Sequence, residues 1–288
     1  MSSYLKKIQG LNYPKWLPNN VMFEGMTGSV AYGVSNDTSD MDIVGFCIPP
    51  KELVFPHLVG EIPGFGTQLQ RFEQYQEHHI KALNKEFDIT IYSIVKFFQL
   101  AMENNPNMVD ALYLPRRCVL HSTPIYETMR ENRNLFLHKG SWHKFKGYAY
   151  SQLSKLEGKA NRENPKRAAD IVVYGYDTKF AYHIVRLLLE VEQILTEYTL
   201  DLERNSAVLK AIRNGEWTLD RVKSFMYNKE IDLESVYNTS ELRYKPDEQA
   251  IKALLMECLE MHYGKIATQL HSSSNLLLEL KLLTEKYS

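Results

Sequence analysis

The pattern of apolar residues changes part-way along the chain, and that change limits the folds open to it. From about residue 20 to 120, short apolar runs alternate with Gly, Pro, Asn and Asp. From about residue 125 onward, long segments carry apolar residues at helical spacing, and Gly and Pro thin out. The first pattern belongs to strands mixed with helices, the second to packed helices. The expected architecture is α+β, with a small mixed β-sheet domain over residues 1–120 and a helical domain over residues 121–288. A chain of 288 residues suffices for two domains of ordinary size or one large one.

Within the first part, Ile43–Ile48 reads as a buried strand closed by Pro49-Pro50. Asp88–Ile94 alternates, with Phe87, Ile89 and Ile91 on one side and Asp88, Thr90 and Tyr92 on the other, the mark of a half-buried strand. Pro56–Lys85 carries a Gly-rich turn and a polar run, and leaves a strand or a short helix open. A helix over about Ile94–Asn104 stops at Asn104-Asn105-Pro106. In the second part helices are expected at about Trp142–Lys159, Lys179–Tyr198, Asn205–Asn214, Thr218–Tyr227, Pro246–Met261 and Ser274–Lys286, with a loop at Asn161–Pro165.

No stretch offers the roughly 20 apolar residues of a membrane span. The candidates around Ile184–Leu195 and Leu276–Leu283 are interrupted by Arg186, Glu190, Glu279 and Lys281. Met1–Gly10 is polar and no apolar run follows it, so no signal peptide is expected. Cys47, Cys118 and Cys258 are far apart and form no paired motif, which fits thiols in a reducing, cytoplasmic compartment. Lys and Arg total 34 against 35 Asp and Glu, so any contact with nucleic acid has to come from a local patch.

The chemistry concentrates in Gly28-Ser29, ten intervening residues, and Asp40-Met41-Asp42-Ile43. On a strand Asp40 and Asp42 share one face while Met41 and Ile43 turn toward the core. Two adjacent carboxylates repel unless cations sit between them, and hard oxygen ligands at this spacing suit Mg²⁺, completed by substrate phosphates. Glycine upstream lets the backbone approach a phosphate closely. Asp88 supplies a third acid on the polar side of the alternating strand; Glu86 precedes that strand and is the weaker choice. This is a layout for metal-assisted phosphoryl transfer.

Gly-Ser, a spacer, Asp-x-Asp and a later strand Asp resemble the core motif of the DNA polymerase β superfamily of nucleotidyltransferases. The longer strings Gly28-Ser29-Val30-Ala31-Tyr32-Gly33 and Ser39-Asp40-Met41-Asp42-Ile43-Val44-Gly45 are similar to a branch of predicted nucleotidyltransferases associated with RNA repair in bacteria and their viruses. That branch also carries an Asn-Pro pair with a nearby acid, matched by Asn105-Pro106 and Asp110, and a Lys-x-x-x-His-x-x-Arg helix, matched by Lys179, His183 and Arg186. The likeness covers about residues 20–190.

The resemblance implies transfer of a nucleoside monophosphate from an NTP to an acceptor hydroxyl, most simply an RNA 3′ end, with release of pyrophosphate. Asp40, Asp42 and Asp88 are the implied catalytic acids and ligands of two Mg²⁺ ions, with Mn²⁺ as a substitute. Gly28 and Ser29 would hold the β- and γ-phosphates, and Lys179, His183 and Arg186 would present one cationic helix face to the triphosphate or an RNA backbone. A second face with Tyr148, Gln152, Lys155 and Lys159 is open to base stacking or to simple packing. His78-His79 reads as polar surface because neighbouring residues diverge on a helix or strand, and Arg116-Arg117 as a solvated loop pair. The rival readings are transfer to a small molecule or protein, and a catalytically idle nucleotide- or RNA-binding or antitoxin-like module.

Overall fold

The computed structural model describes residues 3–35, 40–55, 57, 60–67, 70–158 and 165–264. In chain order the elements are α1 (Leu17–Asn20), β1 (Val21–Met26), β2 (Met41–Cys47), α2 (Lys51–Val54), β3 (Gln74–Ala82), β4 (Lys85–Ser93), α3 (Ile94–Met102), α4 (Pro106–Leu112), β5 (Val119–Ser122), α5 (Pro124–Glu131), α6 (Ser141–Glu157), α7 (Pro165–Tyr174), α8 (Thr178–Glu197), α9 (Ser206–Arg213), α10 (Leu219–Thr239) and α11 (Glu248–Tyr263). The fold is α+β, a mixed sheet followed by helices.

The five strands lie in the order β3-β4-β2-β1-β5. β2 and β4 run parallel, and the other neighbours are antiparallel. Alternation decides which side chains go where. Met41, Ile43, Phe87, Ile89 and Ile91 face a small core closed by Leu5, Ile8 and Leu17 from the amino-terminal segment. Val44 and Phe46 point the other way, into the main core, where Phe46 packs on Phe97 of α3. Asp42 and Asp88 share that second face, beyond the edge of the helical cover.

The main core is continuous across residue 120: it runs from Phe23 and Phe46 through Tyr126 and Trp142 to Leu188, Met226 and Cys258. α8 is its centre and packs against α6, α9 and α10. A helix buried on nearly every side needs apolar residues nearly all round, and Ile184, Val185, Leu187, Leu188, Val191 and Ile194 supply them. Asp177 starts α8 by accepting the Lys179 N–H at 2.9 Å. The three cysteines are buried and free. Among the described residues no helix is long and apolar enough to cross a membrane.

Several elements differ from the sequence expectation. Pro56–Lys85 contributes the edge strand β3 from Gln74 onward. α1, β1, α2, α4, β5, α5 and α7 are additional. The helix expected over Thr218–Tyr227 continues as α10 to Thr239. Its buried residues, Val222, Met226 and Leu233, form only a thin stripe, and polar contacts hold the rest: Lys229 to Glu192 at 2.6 Å and Glu234 to the Trp142 indole at 3.0 Å. Ser274–Lys286, Lys159 and most of the Asn161–Pro165 loop lie outside the described residues.

Candidate active site

The parallel pairing of β2 and β4 sets Asp42 directly beside Asp88. Neighbouring strands are only about 4.8 Å apart, so the two carboxylates project side by side from one face. Asp40 stands two residues before Asp42, just ahead of β2, and lines the same cavity. Across the β1–β2 pair the chain leaves β1 at Met26, and the Thr27 N–H donates to the Asp42 carbonyl at 2.8 Å. Gly28 then turns into a short 3-10 helix with φ of 65°. A β-carbon on Gly28 would strike Asp42 Oδ2, so this position requires glycine for its backbone angle and for its closeness to the carboxylate. Ser29 closes the turn by accepting the Val34 N–H at 2.9 Å.

Burial pushes the Asp42 carboxyl up to about 6; Lys179 opposes the rise, and the charges of Asp88 and Asp40 add to it. Asp88 accepts the His79 N–H at 2.8 Å, with His78 Nδ1 at 3.4 Å from the same oxygen. His79 Nδ1 lies 2.6 Å from Glu86, a contact that raises the histidine's pKa, with Asp88 adding to the effect. Glu86 is a member of β4 rather than a residue ahead of it.

His78 and His79 are therefore at the site, contrary to their reading as plain surface. The strand pairing of β3 and β4 shifts register between Glu77 and Ile80, and His79 has φ of 58°. A bulge opposes two residues to one and breaks the alternation that sends neighbours apart. That is why both histidines reach the cavity.

The facing wall comes from α8 and α9. Lys179 and His183 line the cavity, Lys179 as the exposed residue of the first turn of α8. Arg186 lines its floor but turns inward: Nη1 is 2.7 Å from Asp110 and 2.8 Å from Glu190, and its guanidinium lies over the Tyr32 ring at 4.4 Å. Tyr32 OH donates to the same Asp110 oxygen. Two buried acids already match this arginine, so it is not a projecting cation like Lys179. The sequence reading missed Arg213, which lines the cavity with its guanidinium 5.2 Å from the centroid of the buried Tyr182 ring. No local motif marks it; its place follows from the packing of Leu209 and Ile212, which fixes α9.

Arg117, expected as solvated, braces the phosphate-loop candidate: its Nη2 donates to the Val30 carbonyl at 2.9 Å and to Glu203 at 2.6 Å. Arg116 pairs with Glu127 at 2.7 Å. Tyr148 is half-buried and accepts from the Asn105 amide at 2.9 Å, outside the cavity lining. The cavity encloses about 680 Å³. Among the described residues no group of three or more His, Cys, Asp and Glu side chains is gathered closely enough to hold a metal ion by itself. Mg²⁺ fits such an incomplete set, since it is held by one or two carboxylates with substrate phosphates and water filling its octahedron.

A family model described as the RNA repair pathway DNA polymerase beta family (RlaP) matches residues 6–244. The chain belongs to this family. Membership places the chain, at this coarse level, among the nucleotidyltransferases. It is 27% identical over 145 residues to an uncharacterised 38.9 kDa protein of Enterobacteria phage T4, from the nrdC–mobD intergenic region. That match covers 47% of this chain and 38% of the phage protein. A crystal structure of a nucleotidyltransferase-like protein from Exiguobacterium sibiricum aligns over 76% of this chain and 69% of that one. The two chains are 8% identical and superpose with a TM-score of 0.28.

Proposed function

We propose that this protein is a metal-dependent nucleotidyltransferase that moves a nucleoside monophosphate from an NTP to the hydroxyl of an RNA 3′ end and releases pyrophosphate. The observation that carries the reading is the in-register pair Asp42 and Asp88, with the Gly28 backbone pressed against Asp42. Asp40, Asp42 and Asp88 would hold Mg²⁺. When bound, the ion would neutralise the triphosphate and make the acceptor hydroxyl more acidic.

The chain's own residues do the rest. The Gly28-Ser29 turn receives the terminal phosphates, and Lys179, His183 and Arg213 neutralise them from the opposite wall. Arg186, locked to Asp110 and Glu190, fixes α8 against the Tyr32 end of the loop. Asp88, oriented by the His79 amide, faces the acceptor. The acceptor oxygen bonds to the α-phosphorus as the bond to pyrophosphate breaks, and the hydroxyl proton passes toward Asp88. In-line transfer asks for positioning and charge neutralisation more than covalent chemistry.

The RNA acceptor rests on the family's association with RNA repair. To test it, the purified protein is incubated with each α-labelled NTP, Mg²⁺ and an RNA oligonucleotide carrying either a free or a blocked 3′ end. Label on the free-ended RNA alone is expected. Label on small molecules or on the protein, with none on RNA, would overturn this acceptor.

A further inference from the structure

The residues that line the cavity differ in charge. Lys179, His183 and Arg213 bring basic side chains; Thr90 and Tyr92, two residues apart on one face of β4, and Asn107 and Met108, adjacent on α4, bring none and form an uncharged part of the wall. We propose that this uncharged wall is the subsite for the terminal nucleoside of the acceptor strand, with its base stacked on Tyr92. The inference rests on the reading of the site as a nucleotidyltransferase and specifies what it accepts.

Position along β4 is the first argument. Asp88, Thr90 and Tyr92 alternate onto one face, and each step of two residues advances about 6.8 Å along an antiparallel strand, slightly less along a parallel one. A ribose whose hydroxyl meets Asp88 can therefore lay its base along β4, past Thr90 toward Tyr92. The α-phosphate side lies across the sheet, toward Asp42 on the neighbouring strand and Gly28 beside it.

Composition is the second. An aromatic face, a thioether and a carboxamide match a nucleobase: the ring stacks, the polarizable sulfur fills beside it, and the amide offers a donor and an acceptor to the base edge. A phosphorylated sugar or an acidic peptide would call for cations at this wall. The nearby acid on α4, Asp110, is turned inward to Arg186 and Tyr32. Stacking also gives a chain of net charge -1 a way to hold an RNA end without a broad basic surface.

Order is the third. Tyr92 is half-buried and packs against the main core. Tyr148 lies close enough to influence its hydroxyl and is itself fixed by the Asn105 amide. A ring held this way offers a prepared stacking surface.

The test uses the full chain, Mg²⁺, a non-hydrolysable NTP and a short single-stranded RNA whose last nucleoside is 2-aminopurine with a 3′-deoxy end. Stacking on Tyr92 should quench the 2-aminopurine fluorescence on binding. Tyr92→Phe should keep the quench. Tyr92→Ala should abolish it and weaken RNA affinity about tenfold, within the range of one base–aromatic stack, while leaving Mg²⁺-NTP affinity, measured separately, unchanged. Wild-type quench and affinity in a folded Tyr92→Ala would overturn the subsite alone. Wild-type protein that binds Mg²⁺-NTP but no RNA would overturn the RNA acceptor and the subsite with it.

Discussion

Replacing Arg186 with Met separates a structural arginine from a ligand-binding one. The guanidinium, Asp110 and Glu190 are each no more than 5% exposed, and Nη1 lies within 3.0 Å of oxygens from both acids. Burial raises the pKa of both carboxyl groups; the Arg186 charge opposes the rise at both, joined at Asp110 by the Tyr32 hydroxyl. Removing one partner of a buried ion pair costs about 3–5 kcal/mol, because the other charge is left in a poor medium. For a chain of this size that is a fall in Tm on the order of 10 °C. The deficit should shrink at lower pH. An acid whose folded-state pKa is raised loses stability as pH climbs from its unfolded pKa to the raised value, and regains it as pH falls back through that range, so acidification neutralises the stranded carboxyls. Adding Glu190→Leu to Arg186→Met should restore part of the loss. Urea unfolding followed by circular dichroism at pH 7.5 and 5.5 measures all three effects. A variant as stable as wild type that has lost only NTP binding would refute the reasoning and make Arg186 a phosphate contact.

Asp42→Asn should stabilise the metal-free protein by up to about 3 kcal/mol at pH 7.5, since the carboxyl is pushed from 3.8 to about 6; the gain should fade as pH drops through 6, and an unchanged unfolding midpoint at pH 7.5 would contradict it. Gly28→Ala should lose stability by about 1 kcal/mol or more and weaken Mg²⁺-NTP binding, because φ is 65° and the new β-carbon meets Asp42; calorimetry showing wild-type affinity would return the loop to ordinary turn status. Arg213→Ala should raise the NTP dissociation constant about tenfold, or 1.4 kcal/mol, while folding is preserved; fluorescence titration with a labelled NTP reads it.

The site was legible in the sequence wherever local periodicity determines direction. Asp42 and Asp88 sit in short apolar strands, so alternation alone separated them from Ile43 and Ile89, although their exact register needed the parallel pairing of β2 and β4. Gly28 was legible for the same local reason. What escaped depends on tertiary context. The β3 bulge cancelled the alternation rule at His78 and His79. Arg186 shares one helical face with Lys179 and His183, yet only the approach of Asp110 from α4 shows that its charge is already matched. Arg213 comes from an amphipathic helix whose tip reaches the cavity only because α9 packs on α8. α10 looked short because polar cross-contacts, rather than an apolar stripe, sustain its second half.

The central claim is that Asp42, Asp88 and the Gly28 turn form one metal-nucleotide site. Calorimetric titration of a non-hydrolysable NTP into the full chain, with and without Mg²⁺, tests it most directly. The account predicts binding that requires Mg²⁺ in the wild type, weakens below pH 6 as Asp42 takes up its proton, and disappears in Asp42→Asn. Equal affinity with and without Mg²⁺, kept in Asp42→Asn, would contradict it.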